Sequence, residues 1–130
     1  MRFCFLSIAV AWMIVSSGLA SAQTAFIEGH VFNKFTGVPL SSAVVRVLEN
    51  ITVGPLPIVL AVGVTDANGF YQFEVDDFLG ASATIEVVCG TRKGEIRGRS
   101  SATLREGLIR RDVYLTSKQR LTRCQPVEPG

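Results

Sequence analysis

The chain has 130 residues, of which 48% are hydrophobic and 18% charged, and a formal net charge of +2. That length fits one domain, and the composition excludes a disordered or collagen-like chain. A single histidine excludes chemistry built on paired imidazoles, while twelve glycines and five prolines among Val- and Ile-rich runs point to an all-β module.

Residues 1–22 read as a secretory signal peptide. Arg2 supplies the positive start, Phe3–Val15 is apolar apart from Ser7, and Ala20-Ser21-Ala22 is a small-residue cleavage pattern. An uncleaved anchor is the alternative, but Phe3–Val15 falls short of the roughly 20 residues of a bilayer span. Cys4 lies too far from the cleavage pattern for lipid attachment. Export places the chain outside the cytoplasm, in the cell envelope or the extracellular space. The mature chain, Gln23–Gly130, is unevenly charged. Two basic and seven acidic residues lie in Gln23–Gly90, whereas ten basic and three acidic residues lie in Thr91–Cys124. The plain reading is that the two parts lie side by side and neutralise one another.

Two cysteines remain after processing, Cys89 and Cys124. In an oxidising compartment an even pair forms a disulfide, and the expectation is an intramolecular bridge. An intermolecular bridge and two free thiols are the alternatives. Zinc is not expected, because two cysteines and a distant His30 make no ligand cluster.

Strand signals recur at short spacing with turn residues between them, as in a sandwich. Phe26–Asn33 alternates Ile27, Gly29 and Val31 against Glu28, His30 and Phe32. After the loop Thr36–Leu40, Ala43–Glu49 alternates Ala43, Val45 and Val47 against Val44, Arg46 and Leu48. Pro55 and Pro57 interrupt the next connection. Ile58–Thr65 is nearly continuous apolar sequence, which period alone does not orient; its β-branched content favours strand over a short buried helix. Asp66-Ala67-Asn68-Gly69 is a turn, with Asp capping the backbone and Asn-Gly accepting positive φ. Phe70–Val75 sets Tyr71, Phe73 and Val75 against Phe70, Gln72 and Glu74. Ala83–Cys89 sets Ile85, Val87 and Cys89 against Thr84, Glu86 and Val88. Lys93–Ser100 is a charged edge strand, and Arg110–Thr116 closes the fold with Val113 and Leu115 inward. Residues 117–130 read as a C-terminal tail, held only through Cys124. No helix of substance and no internal repeat is expected.

Four blocks carry a resemblance: Ile27–Val31, Thr36–Val47, Thr65–Phe73 and Arg105–Leu115. Together they resemble carboxypeptidase regulatory-like domains from about Ile27 to Leu115, within a domain bounded at residues 23–116. The resemblance implies a transthyretin-like, seven-stranded, Greek-key β-sandwich, secreted or surface-exposed and non-catalytic. The chain departs from the family pattern at Asp76–Gly80, at Cys89-Gly90-Thr91 and in the longer, more apolar connection Asn50–Ile58. The matching residues also have plain physical roles, since Gly37 and Gly69 suit backbone that a side chain would strain, and Ala43 suits a crowded contact between sheets.

The chemistry-bearing residues have plainer readings. Asp66-Ala67-Asn68-Gly69 echoes part of a calcium loop, but with Gly69 as the loop's glycine the acidic residue expected six places on is missing, Val75 standing there. Asp76-Asp77 reads as a solvated loop pair, and His30 as a surface histidine with no nucleophile near it in sequence. Asn50-Ile51-Thr52 is a glycosylation sequon. The expectation is a non-enzyme without metal, cofactor or nucleic-acid partner, working in protein or carbohydrate binding or as a structural accessory. A small transthyretin-like enzyme or inhibitor is the alternative.

Two candidate surfaces remain. Lys93, Arg97 and Arg99 share parity and form a candidate site for anionic glycans or lipid head groups, with protection of a sheet edge as the plainer reading. Phe32, Val44, Leu48 and Phe70 face away from the core and form a candidate interface with a protein partner or a second copy. Burial of that patch under the Asn50–Ile58 connection is the alternative.

Overall fold

A computed structural model describes residues 24–50, 58–76 and 80–126. Residues 1–23, 51–57, 77–79 and 127–130, and with them the expected signal peptide and Asp77, therefore lie outside the described residues. The described chain contains strands and no helix: β1 (Thr24–Asn33), β2 (Val44–Glu49), β3 (Ile58–Val64), β4 (Phe70–Asp76), β5 (Ser82–Thr91), β6 (Gly94–Thr103), β7 (Gly107–Arg110) and β8 (Val113–Leu115). One sheet runs β4-β1-β7 with β8 also on β1, and the other runs β3-β2-β5-β6.

The alternation seen in the sequence sets the core. Ala25, Ile27 and Val31 of β1, Tyr71 and Val75 of β4, and Ile109, Val113 and Leu115 of β7 and β8 meet Val45, Val47, Ile85, Val87 and Cys89 of the other sheet in one buried cluster. A period-2 pattern turns every second side chain to that shared interior, so the two sheets bury each other's apolar faces.

The two C-terminal strands form one line beside β1. Both pair with it in parallel, Ile27 opposite Ile109 and Val31 opposite Val113, and the offset is the same on either side of the gap at Arg111 and Asp112. Within the gap Arg111 N–H still donates to Glu28 O at 2.9 Å. Asp112 then lends its carboxylate in place of the backbone, accepting His30 N–H at 2.9 Å.

The gap exists because Gly29 has no side chain. A Cβ there would overlap the Arg111 carbonyl oxygen and come within 2.6 Å of its carbon. Tyr71, paired with Gly29 across β4 and β1, donates its hydroxyl to that same carbonyl at 2.5 Å. The carbonyl turned away from the ladder is thus satisfied, as a buried backbone acceptor must be.

The expected turn forms at Asp66–Gly69. Asp66 accepts from the backbone N–H of Asn68 at 2.8 Å and of Phe70 at 3.0 Å. The positive φ falls on Gly69, at 73°, where a side chain would also strike Val31 O and Pro39. Thr65, just before the turn, is buried; its hydroxyl donates to Leu40 O at 2.8 Å and accepts Ala43 N–H at 2.9 Å, closing the entry to β2.

The segment after Ser117 is fastened by more than its cysteine. A disulfide joins Cys89 to Cys124 with Cα atoms 5.0 Å apart. Cys124 N–H also donates to Ser41 O, and Gln125 N–H to Gly90 O, each at 2.8 Å. Asn33, fully buried at the end of β1, donates its amide to Gln119 O at 2.9 Å and Leu121 O at 3.2 Å, while its Oδ1 accepts Phe35 N–H.

Candidate functional site

The outer face of the β4-β1-β7 sheet carries a row of rings. His30 and Phe70 are cross-strand partners with centroids 5.2 Å apart, and Phe32 and Tyr114 are cross-strand partners at 5.1 Å. His30 and Phe32, on the same strand, lie 5.8 Å apart with planes 23° from parallel. Near-parallel rings at such separations are offset-stacked. His30 and Phe70 are tilted by 58°, and Tyr114, which ends the row, is 56% exposed. Asp112, already bonded to His30 N–H, lies 4.0 Å from His30 Nδ1. Glu28 and Arg110 pair at 3.2 Å beside this row.

Of the four residues expected to form one interface, the structure brings two together. Phe32 and Phe70 share this outer face and are linked through His30. Val44 and Leu48 lie on the outer face of the opposite sheet, where both are buried. Val44 sits between Val64 and Val88, and Leu48 between Val59 and Thr84. A central strand is shielded by the side chains of both neighbours, so an outward position on β2 is not an exposed one. The exposed apolar residues of that sheet stand one strand over, on β3: Ile58, Val59, Val62 and Val64. The connection expected to cover the patch falls on residues 51–57, outside the described ones.

The cationic candidates separate in a similar way. Lys93 lies in the β5–β6 turn, where its N–H donates to Thr91 Oγ1. Arg97 and Arg99 stand on the outer face of edge strand β6 and converge on Glu86 of β5, at 3.8 and 3.6 Å. Arg46 of β2 holds the same carboxylate from the other side through Nε and Nη2. Arg97 also pairs with Glu95 at 2.9 Å. Three guanidinium groups thus surround one carboxylate whose side chain is only 8% exposed. A carboxylate this buried is tolerable only when paired and hydrogen-bonded. Glu86 organises the arginines, and the surplus positive charge of the cluster faces solvent.

A third feature is an open depression of about 510 Å³ lined by Phe35, Thr36, Val38, Arg120, Leu121 and Thr122. The Arg120 guanidinium lies over the Phe35 ring, 5.8 Å from its centroid. The loop after β1 forms one wall and the C-terminal segment the other, and the Asn33 amide ties the two together through Gln119 O and Leu121 O. The Asn50 amide of the sequon is engaged with Ser82 and Thr84, at 3.0 and 2.8 Å.

Burial pushes the Tyr71 hydroxyl well above the usual phenol range, and the nearby Asp112 carboxylate adds to the effect. Tyr71 is therefore a neutral hydrogen-bond donor, fixed on Arg111. Among the described residues, no group of three or more His, Cys, Asp or Glu side chains is placed to hold a metal ion, and no helix is long and apolar enough to cross a membrane.

Sequence reasoning missed Asn33, the Glu86 cluster and the β3 edge. The signal for Glu86 was a lone acid in an apolar run, opposite Arg46 in the alternation. Asn33, a polar residue at an inward position of β1, carried a comparable signal.

No family model matches the chain, and no curated protein does. Among solved structures it is similar to a 9R-lipoxygenase from Cyanothece PCC8801, with 18% identity and a TM-score of 0.45 over 76% of this chain. The chain spans 17% of the length of that lipoxygenase.

Proposed function

We propose that the chain is an exported, non-catalytic β-sandwich module of the carboxypeptidase regulatory-like, transthyretin-like type. It works at the cell envelope or outside the cell, in protein or carbohydrate binding or as a structural accessory. The observation that carries this reading is how the chemistry-bearing side chains are used. Tyr71, Asp66, Asp112, Asn33 and Thr65 each hold backbone groups, and Glu86 holds arginines. The outer faces of the two sheets also carry rings, apolar side chains and guanidiniums, groups suited to recognition.

The strand arrangement supports the family reading. Counted as the single line they follow beside β1, β7 and β8 bring the total to seven strands. The connections from β1 to β2, β3 to β4, β4 to β5 and β6 to β7 each pass from one sheet to the other, while β2–β3 and β5–β6 stay within a sheet, in keeping with a Greek key. The Cys89–Cys124 bridge supports an oxidising compartment.

The test is a binding titration of purified Gln23–Gly130 against heparin and against phosphatidylserine vesicles. Retention at low salt that is lost at moderate salt, and weakened by Arg97→Ala and Arg99→Ala, supports a weak anionic-glycan or membrane-surface contact. Absence of retention at low salt leaves the arginines as edge protection and moves the function to a protein partner.

A further inference from the structure

The sheet β3-β2-β5-β6 has two borders of opposite character. The β6 border carries Glu95, Arg97 and Arg99, charges of the kind that deter strand addition. The β3 border, Ile58-Val59-Leu60-Ala61-Val62-Gly63-Val64, carries no charged or polar side chain. Its Val62 and Val64 are 47% and 58% exposed, and among the described residues β3 pairs with β2 alone. The pairing shifts register beside Leu48, so the irregularity occupies the first half of β3 and leaves Ala61–Val64 regular. The other sheet's β4 border is guarded as β6 is, by Glu74 and Asp76.

We infer that β3 is a self-association edge, where a second copy of this chain adds its own β3 in antiparallel register. Extended backbone that, among the described residues, is paired on one side only is matched by another extended backbone, and an antiparallel pair across a two-fold axis places the same uncharged segment on both sides. Val62 then lies near the axis, and the outward valines of the two copies become cross-strand neighbours, removing apolar surface from water. The assembly closes at two. Once the β3 edges are paired, both outer borders of the joined sheet are β6, with its charges, so no third copy adds. A contact of one strand with its flanking side chains falls at the small end of specific interfaces, below about 1,200 Å², so association is weak and concentration-dependent.

This inference rests on the reading of the chain as a module that works through its surfaces. Sedimentation velocity of disulfide-intact Gln23–Gly130, from about 10 μM to about 1 mM, spans the range of a weak dimer. The expected result is a shift from monomer towards dimer with rising concentration, lost in Val62→Lys and in Val64→Lys and kept in Phe32→Ser. A wild-type protein that stays monomeric throughout, or a dimer that survives both lysine variants, overturns the inference. Hydrogen exchange on the wild-type protein covers the case in which the lysine variants fail to fold. Amides of Ala61–Val64 gain protection at high concentration if β3 pairs, and unchanged protection refutes the pairing. Binding of monomeric wild-type protein to phosphatidylserine vesicles that is lost in Val62→Lys assigns the edge to a lipid surface and likewise overturns it. Loss of heparin retention in the arginine variants with the dimer intact separates the fate of the binding reading from that of the edge.

Discussion

Replacing Gly29 with alanine tests the joint at which β1, β4 and the β7–β8 line meet. The added Cβ overlaps the Arg111 carbonyl oxygen and stands 2.9 Å from Tyr71 Oη, both within a packed sheet. The β7–β8 line must move away, and the Tyr71–Arg111 hydrogen bond stretches or breaks. Overpacking of this kind costs about 1–3 kcal/mol. Loss of a buried hydrogen bond adds about 1–3 kcal/mol, because the phenol and the carbonyl are both out of water. Reduced freedom of the unfolded chain returns about 0.4–1 kcal/mol. The expected net loss for Gly29→Ala is about 3–4 kcal/mol. Tyr71→Phe, which removes only the hydroxyl, loses about 1–2 kcal/mol. The double variant should lose less than the sum of the two by about 1 kcal/mol, since both act on one hydrogen bond. The only tryptophan, Trp12, precedes Gln23, so urea unfolding of Gln23–Gly130 is followed by tyrosine fluorescence and circular dichroism. A Gly29→Ala protein within about 0.5 kcal/mol of wild type, or strictly additive losses, refutes the joint.

Tyr71 also makes the fold sensitive to alkali. Its folded-state pKa is raised above the unfolded value of 10.0, so its contribution is complete below pH 10 and lost as pH rises further, at up to about 1.4 kcal/mol per pH unit. Urea midpoints measured between pH 8 and 11 should fall above pH 10 in wild type and much less in Tyr71→Phe; parallel curves contradict this. Asn33→Ala strands the Gln119 and Leu121 carbonyls and should cost about 2–3 kcal/mol, with faster proteolysis after Ser117 than elsewhere; unchanged proteolysis removes Asn33 as the anchor of that segment. Glu86→Gln leaves three guanidiniums without their shared carboxylate and should cost about 2 kcal/mol at low salt, with part recovered at high salt; a salt-independent loss means packing, not charge, holds the cluster. Cys89→Ala with Cys124→Ala opens a loop of 35 residues and should cost about 4 kcal/mol by chain entropy; thermal unfolding at the wild-type midpoint refutes that contribution.

The strands were legible because their alternation is clean. Phe26–Asn33, Ala43–Glu49, Phe70–Val75 and Ala83–Cys89 each lie within about two residues of β1, β2, β4 and β5, and the inward sets match the core. The edge position of Lys93–Ser100 followed from its charges and glycines. What period could not give is pairing. The parallel association of the C-terminal line with β1 joins residues far apart in sequence, and the break at Arg111 depends on a glycine in another strand. The uniformly apolar Ile58–Val64 run hid both its orientation and its irregular pairing with β2. The interface reading failed at Val44 and Leu48 for a related reason: alternation tells which face a side chain takes, but exposure depends on whether its strand is central or at an edge. For the same reason Arg97 and Arg99, though on one face as parity required, are gathered by Glu86 from the neighbouring strand, while Lys93 sits apart in the turn.

The intact mass and thiol content of the protein recovered from outside the cytoplasm, measured without reductant, test the exported and disulfide-fastened module most directly. A chain beginning at Gln23, with no thiol open to alkylation and the Cys89 and Cys124 peptides linked after digestion, is the predicted result. A chain that keeps Met1, or whose Cys89 and Cys124 both react with the thiol reagent in the folded protein, contradicts it.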